Sequence, residues 1–225
     1  MRGKIIVIEG TECSGKDTQT QLLVQRLKRE GRKVEKLSFP MYDTPTGKII
    51  GGPYLGKEFI GNSYFAEGAI NVDPKVAALY YAADRRYNLR LINQLLEDGT
   101  DLILDRYVES NMAHQGCKIL DREERLKLYQ WFETLEYDLL ELPKPDLTIL
   151  LHMPYKKVLE LKNGRLDRKK EGQLTYLKTS EEAYLELADL KKHQVIKCVD
   201  KDKLRDVLTI HEEIYNIVIK EILKK

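Results

Sequence analysis

The segment Gly10-Thr11-Glu12-Cys13-Ser14-Gly15-Lys16-Asp17-Thr18 follows the G-x-x-x-x-G-K-[ST] pattern, with Asp17 standing where serine or threonine belongs. Its glycines let the backbone curl. Successive N–H groups and the start of the next helix then point at phosphate oxygens, while Lys16 spans the outer phosphates. The apolar run Lys4 to Glu9 precedes it and the amphipathic stretch Gly15 to Glu30 follows, which is the strand-and-helix context the pattern demands. ATP is the default ligand, held by Gly10, Thr11, Cys13, Ser14, Gly15, Lys16, Asp17 and Thr18.

A second apolar run, Asp101 to Asp105, ends in a carboxylate. Beside a phosphate loop, such an aspartate is placed to reach a Mg²⁺ ion at the triphosphate. Asp17 is a second metal candidate, because a carboxylate facing a triphosphate is tolerable only with a cation between them; otherwise Thr18 supplies the hydroxyl and Asp17 turns away to pair elsewhere. Arg106 follows Asp105 directly, near the point where donor and acceptor phosphates must meet, and a guanidinium can span both bidentately. Cys13 needs no catalytic role, since transfer to a phosphate acceptor uses no thiol nucleophile.

The elements that must hold these residues follow an α/β alternation. Strands are predicted at Lys4 to Glu9, Lys33 to Phe39, Asp101 to Asp105, Asp146 to His152 and His193 to Val199. Helices are predicted over Gly15 to Glu30, Pro74 to Asp98, Arg122 to Leu142, Leu174 to Leu190 and Lys203 to Leu223. On the long helix, Val76, Leu79, Tyr80, Ala83, Tyr87 and Leu91 form an apolar stripe read as its core face. Tyr81 and Arg85, four apart, share a different face. Gly51 to Asp73, rich in glycine, reads as a long excursion without regular structure.

In 225 residues, 38 lysines and arginines face 36 aspartates and glutamates, a net charge of +2, so no nucleic-acid polyanion is expected as partner. No apolar run approaches the roughly 20 residues of a membrane span, and Met1 to Lys4 leads straight into a strand pattern, so the expected location is the cytoplasm. Cys13, Cys117 and Cys198 are far apart and read as reduced thiols.

Asp105-Arg106-Tyr107, Ser110 and Ala113-His114-Gln115-Gly116 resemble the thymidylate kinase pattern D-R-Y-x-x-S-x-x-A-Y-Q-G, with His114 as the departure. Glu9-Gly10, Glu12, Gly15-Lys16 and Thr18-Gln19 are similar to that family's phosphate loop, Phe39-Pro40 with Thr46-Gly47 to its second-strand turn, and Tyr81 to Arg85 to its substrate helix. Asp167-Arg168 and Tyr184 to Leu187 resemble its lid and following helix. The resemblance implies a three-layer phosphate-loop NTPase fold in one domain over residues 1–225. A five-stranded parallel sheet is flanked by helices, with a small mobile basic lid at about 162–173.

It implies transfer of a phosphoryl group from ATP to dTMP by a cytoplasmic homodimer. Thymine would stack on Tyr81, Arg85 would donate to a base carbonyl, and Glu12 would meet the sugar 3′-hydroxyl. Phe39, Arg106, Ser110 and Gln115 complete the expected substrate contacts. Lys16, Arg106 and the lid residues Arg168 and Arg165 would carry the charge of the transition state. A deoxynucleoside kinase would instead need a carboxylate base beside a 5′-hydroxyl, for which the segment after strand two has no clear candidate; a nucleotide-binding regulator without catalysis is the reading from another class. The family usually has an arginine for the acceptor phosphate where this chain has Met41-Tyr42. Arg106 is then expected to carry an unusual share of that charge, helped by Lys48; should Arg106 not hold the acceptor, the cation is to be sought within Gly51 to Asp73.

Overall fold

The computed structural model describes residues 2–162 and 171–222. Its centre is a parallel sheet in the order β2-β3-β1-β4-β5, formed by β1 (Ile5–Gly10), β2 (Val34–Ser38), β3 (Asp101–Asp105), β4 (Leu147–His152) and β5 (Gln194–Lys197). The expected fold class holds. β1 is buried along its whole length because helices cover both faces, which is why its sequence reads as an unbroken apolar run.

Alternate β-residues feed two separate cores. Ile5, Val7, Leu102, Leu104 and Leu150 pack towards α4 (Leu89–Glu97), α5 (Val108–Gly116), α6 (Arg122–Glu133) and α8 (Glu171–Leu190). Ile6, Ile8, Ile103, Ile149 and Leu151 pack towards α1 (Lys16–Arg29), α7 (Tyr155–Leu161) and α9 (Val207–Glu221). The strand order changes direction beside β1, and the loop after β1 therefore opens where ligands bind in sheets of this kind.

Several element boundaries differ from the sequence reading. The long helix is two: α3 (Pro74–Tyr87), capped by Asp73 Oδ1 accepting from the Lys75 and Val76 N–H groups, and α4. Asn88 separates them, and its side-chain amide donates to the Asp84 carbonyl at 2.8 Å, a local bond that competes with the helix ladder. The stripe assigned to the core faces outwards, with Val76, Leu79, Tyr87 and Leu91 exposed, while Ala77, Ala78 and Ala82 face inwards. Small alanines there let α3 approach its neighbours closely.

α6 ends at Glu133 and continues as a π-helical turn, Thr134–Leu139. The fifth strand is shorter than expected. The chain after it forms a two-stranded ribbon, β6 (Val199–Asp200) and β7 (Lys203–Leu204), before α9 begins behind the Asp206 cap. The excursion is partly regular: α2 (Pro45–Ile49) runs into a π-helical turn, Ile50–Tyr54, and Ile50, Tyr54, Val72 and Ala77 form a third apolar cluster.

Candidate active site

Between β1 and α1 the chain turns through Cys13 and Gly15 at φ 57° and 76°, and Thr11 ties the loop to the end of β4 by exchanging hydrogen bonds of 2.8 Å with Met153. The Ser14 hydroxyl and Asp105 Oδ1 are both buried and have no hydrogen-bond partner among the described residues. Such orphaned groups fit polar ligands supplied from outside. Burial lowers the Lys16 pKa to about 8, helped by the neighbouring positive charge of Arg106.

The Asp17 carboxylate pairs with Lys36 and accepts from Gln21 at 2.7 Å, with its side chain 64% exposed. Glu12 pairs with Lys162 and does not line the cavity described next. Arg165 and Arg168 lie outside the described residues.

A cavity of about 280 Å³ lies beside Arg106. Phe39, Tyr81, Arg85, Arg106, Ser110 and Gln115, six of the expected substrate residues, line it together. The turn after β2 is fixed by the buried Asp84, which accepts from the Met41 N–H at 2.9 Å and the Thr46 hydroxyl at 2.8 Å. Gly47 is required there because a Cβ would stand 1.9 Å from the Met41 carbonyl oxygen.

Arg106 sits at φ 68°, in the left-handed region that only over-determined surroundings sustain. Those surroundings are its own contacts. One guanidinium nitrogen, Nη1, shares its two hydrogens among the Ser110 hydroxyl at 3.1 Å, His114 Nε2 at 3.2 Å and the Tyr184 hydroxyl at 3.1 Å. Burial opposes its charge, but Tyr184, Glu9 and Asp105 outweigh that and raise its pKa. Glu9 is itself buried and accepts from the Tyr107 and Ser110 N–H groups at 2.8 and 3.0 Å, anchoring the start of α5; burial raises its pKa. His114 stays neutral, since burial and the charge of Arg106 push its pKa well below 6.5, and its Nδ1 meets the Tyr176 hydroxyl at 2.7 Å.

The sequence reading missed Glu136, which is fully buried and carries the Arg85 guanidinium, and Asn111, whose amide donates to the Ala78 carbonyl at 3.1 Å. It missed Tyr42, Tyr54, Lys57, Lys118 and Tyr176 on the cavity wall as well. Arg85 is thus a buried, paired residue and not part of a solvated helix face.

A phosphate loop and an adjoining cavity bridged by one half-buried arginine describe a two-substrate transferase, and the relatives specify which. The thymidylate kinase family model matches residues 8–214. The chain belongs to the thymidylate kinase family. It is 31% identical to a thymidylate kinase of Halothermothrix orenii, with 97% of each chain covered, and 34% identical to a probable thymidylate kinase of Thermococcus onnurineus, covering 98% of this chain and 99% of that one. A solved thymidylate kinase from Candida albicans superposes with a TM-score of 0.68 at 25% identity, over 97% of this chain and 92% of the other. Like this family, the protein is a phosphotransferase that moves a phosphoryl group from ATP to dTMP. Nothing in these relatives favours a deoxynucleoside kinase or a regulator without activity. No helix among the described residues of this thymidylate kinase family member is long and apolar enough to cross a membrane.

Proposed function

We propose that dTMP occupies the cavity lined by Tyr81 and Arg106, with ATP on the loop from Gly10 to Thr18. The observation that carries this reading is a pair of orphaned acceptors: Asn111 Oδ1 and Gln115 Oε1 belong to residues on the cavity wall, are buried, and have no partner among the described residues. A base with a ring N–H satisfies such an acceptor, and Arg85 on the same wall supplies a donor for the adjacent carbonyl. Thymine has both groups, and Tyr81 offers an aromatic face for stacking. Phe39 and Ser110 bound the same space. The resemblance assigns Glu12, which here pairs with Lys162, to the sugar 3′-hydroxyl.

Catalysis in this reading is positioning plus charge stabilisation. Lys16 and Arg106 stabilise the transferred group, and the resemblance assigns Arg168 and Arg165 to close a basic lid at about 162–173 over it within a single domain. Mg²⁺ fits Asp105, whose Oδ1 is buried and has no partner among the described residues. No three His, Cys, Asp or Glu side chains converge on a metal among the described residues, so phosphate oxygens and water would complete its shell. When bound, the ion would neutralise charge on the outer phosphates.

The exposed stripe of Val76, Leu79, Tyr87 and Leu91 supports pairing of two copies along α3 and α4. Sedimentation of the parent and of Leu79→Glu tests this: the parent should run as a dimer and the variant as a monomer, and a monomeric parent would reject it. Three cysteines without disulfides fit work in the reducing cytoplasm.

The substrate assignment is tested by coupled ADP release with dTMP, dUMP, dCMP, dGMP and the parent nucleosides. Turnover should be greatest with dTMP and lower by orders of magnitude with dCMP and dGMP. Cytosine presents an amino group where Arg85 needs an acceptor, and unpaired buried groups cost about 1–3 kcal/mol each. Equal turnover of dCMP and dTMP would reject the assignment.

A further inference from the structure

A phosphate monoester brings about −1.5 to −2 charges into a site at neutral pH, and Met41-Tyr42, where the resemblance implies an arginine for it, holds no cation. Met41 packs against the core instead, its N–H held by Asp84. The cations on the cavity wall are Lys57, Arg85, Arg106 and Lys118. Arg85 is committed to Glu136. Lys118 donates to the Val72 and Ala69 carbonyls at 2.8 and 3.4 Å, and burial lowers its pKa. Arg106 is shared among Ser110, His114 and Tyr184. Lys48, the cation the sequence brought forward, is exposed and does not line the cavity.

Lys57 differs from all of these in that its ammonium has no hydrogen-bond or ion-pair partner among the described residues. It rests over the Tyr42 ring, 4.3 Å from its centre, with the Phe59 ring at 5.6 Å. Its backbone, by contrast, is pinned: the N–H donates to the Gly51 carbonyl at 2.8 Å, and its own carbonyl accepts from the Ile60 and Gly61 N–H groups at 2.8 and 2.9 Å. Gly56 at φ 65° makes the bend that puts it there. A fixed backbone, a flexible four-carbon stem and an ammonium held only by aromatic faces describe a cation in waiting, because a charge-assisted hydrogen bond to phosphate outcompetes a cation–π contact.

We propose that Lys57 is the acceptor-phosphate cation of this chain, supplied by the 51–73 excursion in place of the arginine absent at Met41-Tyr42. The inference rests on the reading of the cavity as the dTMP site. In this arrangement Tyr42 holds the ammonium at the cavity wall, and Lys57 takes the acceptor phosphate while Arg106 faces the transferred group.

Calorimetric titration of the full chain with dTMP and with thymidine, which lacks the phosphate, tests it on the parent, Lys57→Met and Lys57→Arg, alongside the KM for dTMP. Lys57→Met should weaken dTMP tenfold or more, raise its KM to match and leave thymidine within twofold. Lys57→Arg should recover most of the loss. Unchanged dTMP affinity in Lys57→Met overturns the assignment, and so do equal losses of dTMP and thymidine, which would make Lys57 a packing residue of the excursion. A parent that does not phosphorylate dTMP overturns the cavity reading itself and Lys57 with it. An active parent with an unaffected Lys57→Met overturns Lys57 alone.

Discussion

The Arg85 guanidinium and the Glu136 carboxylate form a bidentate pair inside the protein: Nε donates to Oε2 at 2.7 Å and Nη2 to Oε1, with side chains 2% and 0% exposed. The Asn111 amide also donates to Oε1 at 3.3 Å. The π-helical turn after α6 thereby aims a residue of α3 at the cavity.

Removing Glu136 leaves a buried cation without its partner, which typically costs 3–5 kcal/mol, or about that here for Glu136→Ala. Glu136→Gln keeps the shape and one acceptor and should be milder. Both should raise the KM for dTMP more than they lower kcat, since Arg85 loses its orientation and not its charge. Urea unfolding and steady-state kinetics measure the two effects. A Glu136→Ala variant with parental KM would show that Arg85 does not contact the base.

Lys16, with its pKa lowered to about 8 by burial and by Arg106, is partly deprotonated in slightly alkaline solution. Bound triphosphate favours the ammonium, so binding raises this pKa. ATP affinity should therefore be constant below pH 8 and fall as pH rises through 8, with proton uptake on binding near pH 8. Calorimetry in buffers of different ionisation enthalpy checks both. Affinity independent of pH from 7 to 9 would mean that Lys16 does not reach the phosphates.

How much of this was legible in the sequence depended on how each residue signals its place. The central strands announce themselves because a parallel strand buried on both faces must be apolar throughout. α5 carries no such signal: nearly every residue of Val108–Gly116 is buried, polar ones included, so no amphipathic period exists to read. The stripe on α3 and α4 has the right period for a core face, but period alone does not say whether the protein or a second copy covers it. Glu136 lies 51 residues from Arg85 in the chain, and nothing local marks it as a partner. Asp17 was legible as an anomaly; its answer, Lys36, sits on the neighbouring strand β2.

That pairing sets the expectation for Asp17→Ser. An exposed ion pair contributes about 0–1 kcal/mol, so stability should change little. The carboxylate is engaged away from Asp105, and Lys36 with Gln21 lowers its pKa, keeping it ionised and paired. Titration of ATP with and without Mg²⁺ should then give the same metal dependence in parent and variant. A weaker Mg²⁺ dependence in Asp17→Ser would return Asp17 to the metal.

His114 stands where the resemblance expects tyrosine, and its contacts fix its tautomer. Arginine only donates, so Nε2 must accept from Arg106; Nδ1 then carries the proton and donates to the Tyr176 hydroxyl, whose own hydrogen is free to turn towards the cavity. His114→Phe removes these bonds and a 3.3 Å contact of Nε2 with the Tyr184 hydroxyl, and should cost about 1–3 kcal/mol of transition-state stabilisation, roughly 5- to 150-fold in kcat/KM. His114→Tyr, which restores an acceptor for Arg106, should recover part of it. The pH dependence has a definite sign. With the folded pKa well below the unfolded value near 6.5, the unfolded chain binds the extra proton, so stability is lost as pH falls below 6.5, by roughly 1.4 kcal/mol per pH unit for this group. His193 and His211 have lowered pKa values too and slope the same way, whereas the raised pKa of Glu9 slopes the other way, so the difference is what counts: His114→Phe should have a slope smaller than the parent's by one proton. Urea midpoints between pH 5 and 7.5 measure this, and an unchanged slope in His114→Phe would mean that His114 is protonated in the folded protein and that Arg106 is held some other way.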